Sequence, residues 1–83
     1  MTRILFFGRL RDAAGASEMA CELPASLRTV ADVRAWIGAR DPELGAALGA
    51  PGVRIAVDQV FATDDAPASG AAEIAFMSPL SGG

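Results

Sequence analysis

The sequence predicts an α+β domain in which a mixed sheet packs on one main helix, and three observations predict it. Short apolar stretches recur at 3–7, 17–23, 53–57, 60–62 and 73–77, with the period-two alternation of strands in 17–23 and 53–57 and continuous apolar runs of strand length in the others. One stretch, residues 29–40, instead repeats its apolar residues at helical spacing, with Val30, Val33 and Ile37 on one side. The 83 residues, 52% of them hydrophobic, suffice for one small core and no second one. No internal repeat or low-complexity segment divides the chain.

The first strand, residues 3–7, is apolar on both faces, with Ile4 and Phe6 on one and Leu5 and Phe7 on the other. Such a strand belongs in the centre of a sheet or against a partner. Gly8 bounds it, and residues 9–15 read as a loop. In residues 17–23, Met19, Cys21 and Leu23 alternate with Glu18 and Glu22, a half-buried strand that makes an N-terminal hairpin with the first. After a linker at 24–28, Thr29 with Asp32 three residues later forms a capping-box pattern, the shorter Asp replacing the usual Glu. Trp36 lies close to the apolar stripe, and Arg40 sits at the C-terminal end, where a cation suits the helix dipole.

Asp41-Pro42 ends this helix and opens a short second one, with Asp41 as N-cap and Pro42 at the first helical position. Leu44 and Leu48 point inward and Gly49 stops it. Residues 53–57 form the next strand, with Val53, Ile55 and Val57 inward, and Asp58-Gln59 turns it into a short strand at 60–62. Residues 63–70 are loop-like, and Asp64 and Asp65 read as turn residues. The last strand, 73–77, puts Ile74 and Phe76 on one face and Ala75 and Met77 on the other. A hairpin followed by a helix laid across a mixed sheet is the β-grasp arrangement; periodicity supplies the elements, and analogy supplies the topology.

The chain closes on Ser78-Pro79-Leu80-Ser81-Gly82-Gly83, a slim, uncharged stalk ending in a carboxylate. Two glycines in series lack Cβ atoms and thread a narrow channel. The expected division is a domain over 1–77 and a flexible tail over 78–83, the tail offering the Gly83 carboxylate to another protein's active site. A plain flexible end is the alternative reading of the glycine pair.

The remaining composition excludes much. A single cysteine, Cys21, rules out an internal disulfide, and the absence of histidine removes both a metal cluster and the commonest general base. Cys21, between Met19 and Leu23, reads as a small core hydrophobe. With a net charge of −3 and no basic cluster, nucleic acid is not an expected partner. No apolar run has the length of a membrane span and the apolar start is too short for a signal peptide, so a cytoplasmic protein is expected. All seven basic residues are arginine, which fits either compositional bias or avoidance of amines that would attack an activated carboxyl group. Nothing in the chain assembles acid–base, nucleophilic or metal chemistry, so a free-standing enzyme is not expected. Arg9 and Arg11 read as solvated loop charges. Phe7, Met77 and Leu80 form either a partner-binding surface beside the tail or shared core under the second helix.

Several stretches resemble one family. Leu5-Phe6-Phe7-Gly8-Arg9-Leu10-Arg11-Asp12 with Gly15, Thr29-Val30-Ala31-Asp32-Val33, Ile55-Ala56-Val57-Asp58-Gln59 and residues 73–83 are together similar to the small subunit of molybdopterin synthase. The closing strand and its Pro-apolar-small-Gly-Gly tail are the most specific part. Ser78 stands where a second proline is common in that family, and Asp58 where Asn is usual.

The resemblance implies a ubiquitin-like β-grasp fold and a sulfur carrier with no bound cofactor. In such proteins an E1-like adenylyltransferase uses ATP to adenylate the terminal carboxylate, here that of Gly83. Sulfur then enters to give a C-terminal thiocarboxylate. Gly82, Ser81, Leu80 and Pro79 would form the stalk that two different enzymes enclose. The implied partner is the large subunit of molybdopterin synthase, in a heterotetramer, where the tail donates sulfur to a cyclic pterin precursor to build the dithiolene. Rival readings are a carrier for thiamine or another thio-product, a ubiquitin-like protein modifier, and a plain β-grasp binding module. The thiamine carrier is typically shorter, so residues 27–51 and the start Leu5-Phe6-Phe7 favour molybdopterin.

Overall fold

The computed structural model describes residues 1–79; the expectations for Leu80, Ser81, Gly82 and Gly83 lie outside the described residues. In chain order the elements are β1 (Thr2–Phe7), α1 (Leu10–Ala14), β2 (Glu18–Cys21), α2 (Val30–Arg40), α3 (Pro42–Leu48), β3 (Arg54–Val57), β4 (Val60–Ala62) and β5 (Glu73–Met77). The five strands form one sheet in the order β2-β1-β5-β3-β4. The β1–β5 pair is parallel and the other pairs are antiparallel. The five strands and the helices α2 and α3 are those that periodicity predicts, and the parallel pairing of first and last strands gives the mixed sheet the β-grasp topology expected by analogy.

The core lies between one face of the sheet and the helices. Ile4, Phe6, Ile55, Ile74 and Phe76 come from the strands and meet Val30, Val33, Ile37, Leu44 and Leu48 from α2 and α3. Phe6 and Phe76, partners in the parallel ladder, stack with ring centroids 6.3 Å apart. The buried Thr2 hydroxyl donates to the Ala71 carbonyl at 2.9 Å, so its burial carries no unsatisfied donor.

Helix α2 begins as its sequence pattern predicts. Asp32 N–H donates to the Thr29 hydroxyl at 3.2 Å, and the Asp32 carboxylate accepts from the N–H groups of Arg28 and Thr29 at 3.0 and 3.1 Å. Those two backbone donors hold the Asp32 carboxyl below the ordinary carboxylate range. The loop after β4 satisfies two further orphan donors, since Val30 N–H reaches the Ala66 carbonyl and Ala31 N–H the Asp64 carbonyl, both at 3.0 Å. Asp64 also pairs with Arg34. At the far end of α2 the Arg40 guanidinium lies 4.7 Å from the centroid of the half-buried Trp36 ring.

Where α2 crosses α3 the contact is backbone on backbone. A Cβ at Gly45 would fall 2.4 Å from Gly38 Cα, so no side chain fits there without moving a helix. Helix α3 is capped by the Asp41 carboxylate, which accepts from Leu44 N–H at 3.2 Å, with Pro42 in its first turn.

Residues 9–15, read as a loop, contain the helix α1 instead. Leu10 is buried, with Ala13 and Ala14 packed beside it against the core. This is helical spacing, but two of its three apolar members are alanines, and five residues are too few for a visible period. Gly15, at φ 76°, closes the helix by donating to the Arg11 carbonyl at 2.9 Å. The β3–β4 turn is tight: Asp58 and Gln59 both have positive φ, at 48° and 71°, as a type I′ hairpin turn requires. Asp58 helps to hold it, because its carboxylate accepts from the N–H groups of Ala72 and Glu73 at 2.9 and 3.0 Å.

Candidate functional site

Among the described residues no element covers the sheet face turned away from the helices. On it the register aligns three rows. At one end lie Arg3 and Glu73. The middle row runs from Glu18 through Leu5, Ala75 and Ala56 to Phe61. The last row holds Phe7, Met77 and Arg54. The Arg3–Glu73 end, with Glu18 beside it, is charged, and the Phe7–Met77 end, with Phe61 beside it, is apolar apart from Arg54. Arg3 ties the charged end together, its guanidinium lying 3.2 Å from a Glu18 carboxylate oxygen and 3.8 Å from one of Glu73. These pairs are exposed, and contribute little to stability.

The apolar end is built of exposed large side chains. Phe7 is 46% exposed and Phe61 63% exposed. The Arg54 guanidinium lies 4.4 Å from the centroid of Phe61, a cation laid on an aromatic ring beside Met77. Phe7 and Met77 are direct partners in the parallel ladder. Both stand on the outer face of the sheet, not under the second helix. Sequence reasoning did not assign Arg54 or Phe61 to this surface. The signal was present, since a two-residue turn at Asp58-Gln59 sets Ala56 opposite Phe61.

Beyond Met77 the chain leaves the sheet at the apolar end, and its first two residues are held. The Ser78 hydroxyl accepts from Arg9 N–H at 3.0 Å and donates to the Phe7 carbonyl at 3.4 Å. It does so across Gly8, where a Cβ would come within 2.1 Å of the hydroxyl oxygen. Pro79 sits over Gly52, where a Cβ would come within 2.7 Å of its ring. Both glycines have positive φ, 64° and 87°. Two turns from distant parts of the chain thus form a seat for Ser78 and Pro79, the first residues of the segment assigned to the tail.

Cys21 is a half-buried residue on the helix-side face of β2, packed against the core. Burial pushes its thiol up from the ordinary value, away from the reactive thiolate. Among the described residues no three His, Cys, Asp or Glu side chains converge as metal ligands would. No helix among them is long and apolar enough to cross a membrane.

The sequence matches the ThiS family over residues 4–83, nearly its whole length. The chain belongs to the ThiS family. The resemblance read from the sequence is borne out at the level of this ubiquitin-like carrier-or-modifier family, and solved structures bear out the fold. Small archaeal modifier protein 1 of Haloferax volcanii aligns with a TM-score of 0.80 at 18% identity, covering 99% of this chain and 98% of its own. A candidate molybdopterin converting factor, subunit 1, of Pyrococcus furiosus aligns with a TM-score of 0.74 at 23% identity, covering 95% and 97%. Small archaeal modifier protein 1 of Methanosarcina acetivorans aligns with a TM-score of 0.69 at 24% identity, covering 99% and 95%. No curated protein matches the sequence significantly.

Proposed function

We propose that this ThiS-family protein is the sulfur-carrying subunit of a molybdopterin synthase, working through the carboxylate of Gly83. The observation that carries the reading is the continuity of the outer face with the tail: the apolar row of Phe7 and Met77 runs directly into Ser78 and Pro79. A partner that covers the apolar end of the sheet therefore lies where the C-terminal segment departs. Exposed aromatic surface with a cation set on it is the composition of an interface core.

The chemistry assigns the chain a passive role. A carboxylate is a poor electrophile until a better leaving group replaces its oxygen. In the E1-like adenylyltransferase the Gly83 carboxylate attacks the α-phosphate of ATP, pyrophosphate departs, and a mixed anhydride with AMP forms. Sulfide-level sulfur then attacks the acyl carbon, the bond to AMP breaks and AMP departs, leaving a thiocarboxylate. Docked on the large subunit of molybdopterin synthase, the thiocarboxylate sulfur bonds to a carbon of the cyclic pterin precursor, water then cleaves the acyl–sulfur bond to restore the carboxylate, and two charged carriers supply the two sulfurs of the dithiolene. Bases, metals and ATP contacts come from the partners. An ATP-dependent activation step fits a cytoplasmic setting.

Residues 27–51, which hold α2 and α3, and the apolar start of β1 favour molybdopterin over a thiamine carrier. The archaeal modifier proteins among the structural neighbours favour a second reading, a modifier joined through Gly83 to lysines of other proteins. One reconstitution separates the two. Charged by its activating enzyme and mixed with the large subunit and the pterin precursor, a sulfur carrier yields dithiolene and no conjugates. Ladders of higher-mass conjugates in place of dithiolene would establish the modifier instead.

A further inference from the structure

We propose that Ser78 is a positioning residue that fixes the direction in which the C-terminal segment leaves the sheet. The parallel β1–β5 ladder ends at the Phe7–Met77 pair because β1 turns away at Gly8, so Ser78 has no strand left to pair with. Its hydroxyl replaces the lost backbone pairing. It accepts from Arg9 N–H at 3.0 Å and donates to the Phe7 carbonyl at 3.4 Å, bridging the turn that displaced the ladder. Pro79 follows, with its ring against Gly52, and its fixed φ carries the set direction onward.

A side chain at Gly8 or Gly52 would be strained by the positive φ, 64° and 87°, and its Cβ would fall 2.1 Å from the Ser78 hydroxyl or 2.7 Å from the Pro79 ring, so that the seat would have to shift. A proline would stiffen this point through φ alone; the hydroxyl here does so by gripping the neighbouring turn. With the root held, the partner orders fewer residues when it captures the terminal carboxylate.

The inference rests on the sulfur-carrier reading, and the test separates the two. Steady-state loading is measured with the activating enzyme, ATP and a sulfur source for wild type, Ser78→Ala and Ser78→Thr. Releasing one residue's backbone moves its ordering cost from folding to binding, so Ser78→Ala should raise KM for the carrier about tenfold, ~1.4 kcal/mol, with kcat little changed. Ser78→Thr keeps the hydroxyl and should restore KM. Amide exchange gives a readout independent of activity: the Arg9 N–H should be protected in wild type and Ser78→Thr and exchange freely in Ser78→Ala, with Tm nearly unchanged. A wild-type KM in Ser78→Ala overturns the positioning role, as does a loss that Ser78→Thr fails to restore or that tracks a fall in Tm. A wild-type chain that is never loaded overturns the carrier reading beneath it, and this role with it.

Discussion

Replacing Gly45 by alanine should destabilise the protein although alanine is the better helix former. In an exposed helix interior the exchange of Gly for Ala is favourable by about 1 kcal/mol. Here the added Cβ would stand 2.4 Å from Gly38 Cα, a contact to backbone. Carbon atoms rest about 3.5–4.0 Å apart, so α2 and α3 must separate by about 1 Å or more to admit the methyl group. Overpacking of a tight contact costs about 1–3 kcal/mol, and here both helices carry buried core residues that must shift with them. Set against the propensity gain, the upper part of that range leaves a net loss of about 1–2 kcal/mol, a fall in Tm of about 4–16 °C for a domain of this size. The reciprocal change is the internal control. A Cβ at Gly38 would lie 3.3 Å from Gly45 Cα, so a shift of a few tenths of an ångström admits it, and Gly38→Ala should be close to neutral. Equilibrium urea unfolding and thermal scans of both variants give the answer. A Gly45→Ala protein as stable as wild type, or a Gly38→Ala protein less stable than Gly45→Ala, would refute the close helix crossing.

Further expectations concern charge, surface and sulfur. Asp32 has a lowered carboxyl pKa because the Arg28 and Thr29 N–H groups donate to it, so its stabilising effect is full above the unfolded-state value and fades as pH falls through the folded one. Urea titrations should therefore show Asp32→Asn less stable than wild type at neutral pH, with the gap closing below about pH 4; a gap constant down to pH 2 would contradict the capping geometry. Phe61→Ala on the exposed face should cost the isolated domain about 1 kcal/mol or less. The same change should weaken binding to the large subunit by about 2 kcal/mol, thirtyfold in Kd by calorimetry, whereas unchanged affinity would remove the outer face from the interface. Cys21→Ala should load sulfur like wild type, because the thiol is half-buried and raised in pKa; abolished loading in a folded variant would give Cys21 a chemical role.

Much of the fold was legible where local physics decides it. The Thr29–Asp32 capping box, the Asp41-Pro42 helix start and the turn at Asp58-Gln59 each rest on residues adjacent in the chain, and each is present. The alternation in residues 73–77 correctly separated inward Ile74 and Phe76 from outward Met77. The helix at Leu10–Ala14 escaped notice because its inward face is mostly alanine. The surface around Phe61 and Arg54 was legible only through the register that the two-residue Asp58-Gln59 turn sets between β3 and β4. The seat of the tail root was illegible for a stronger reason. Gly8, Gly52, Ser78 and Pro79 meet only after β1, β3 and β5 have assembled, and nothing in their local sequence marks a turn glycine as the floor beneath a distant proline.

Intact-mass spectrometry of the charged protein decides whether Gly83 carries sulfur. The full-length chain and a chain lacking Gly83 are each incubated with the activating enzyme, ATP and a sulfur source. The full-length chain should gain the mass of one oxygen exchanged for sulfur, mapped by fragmentation to Gly83, and the shortened chain should stay unchanged while keeping its fold. An unaltered full-length mass with an enzyme of proven activity would contradict the sulfur-carrier account, as would sulfur loaded onto the chain that lacks Gly83.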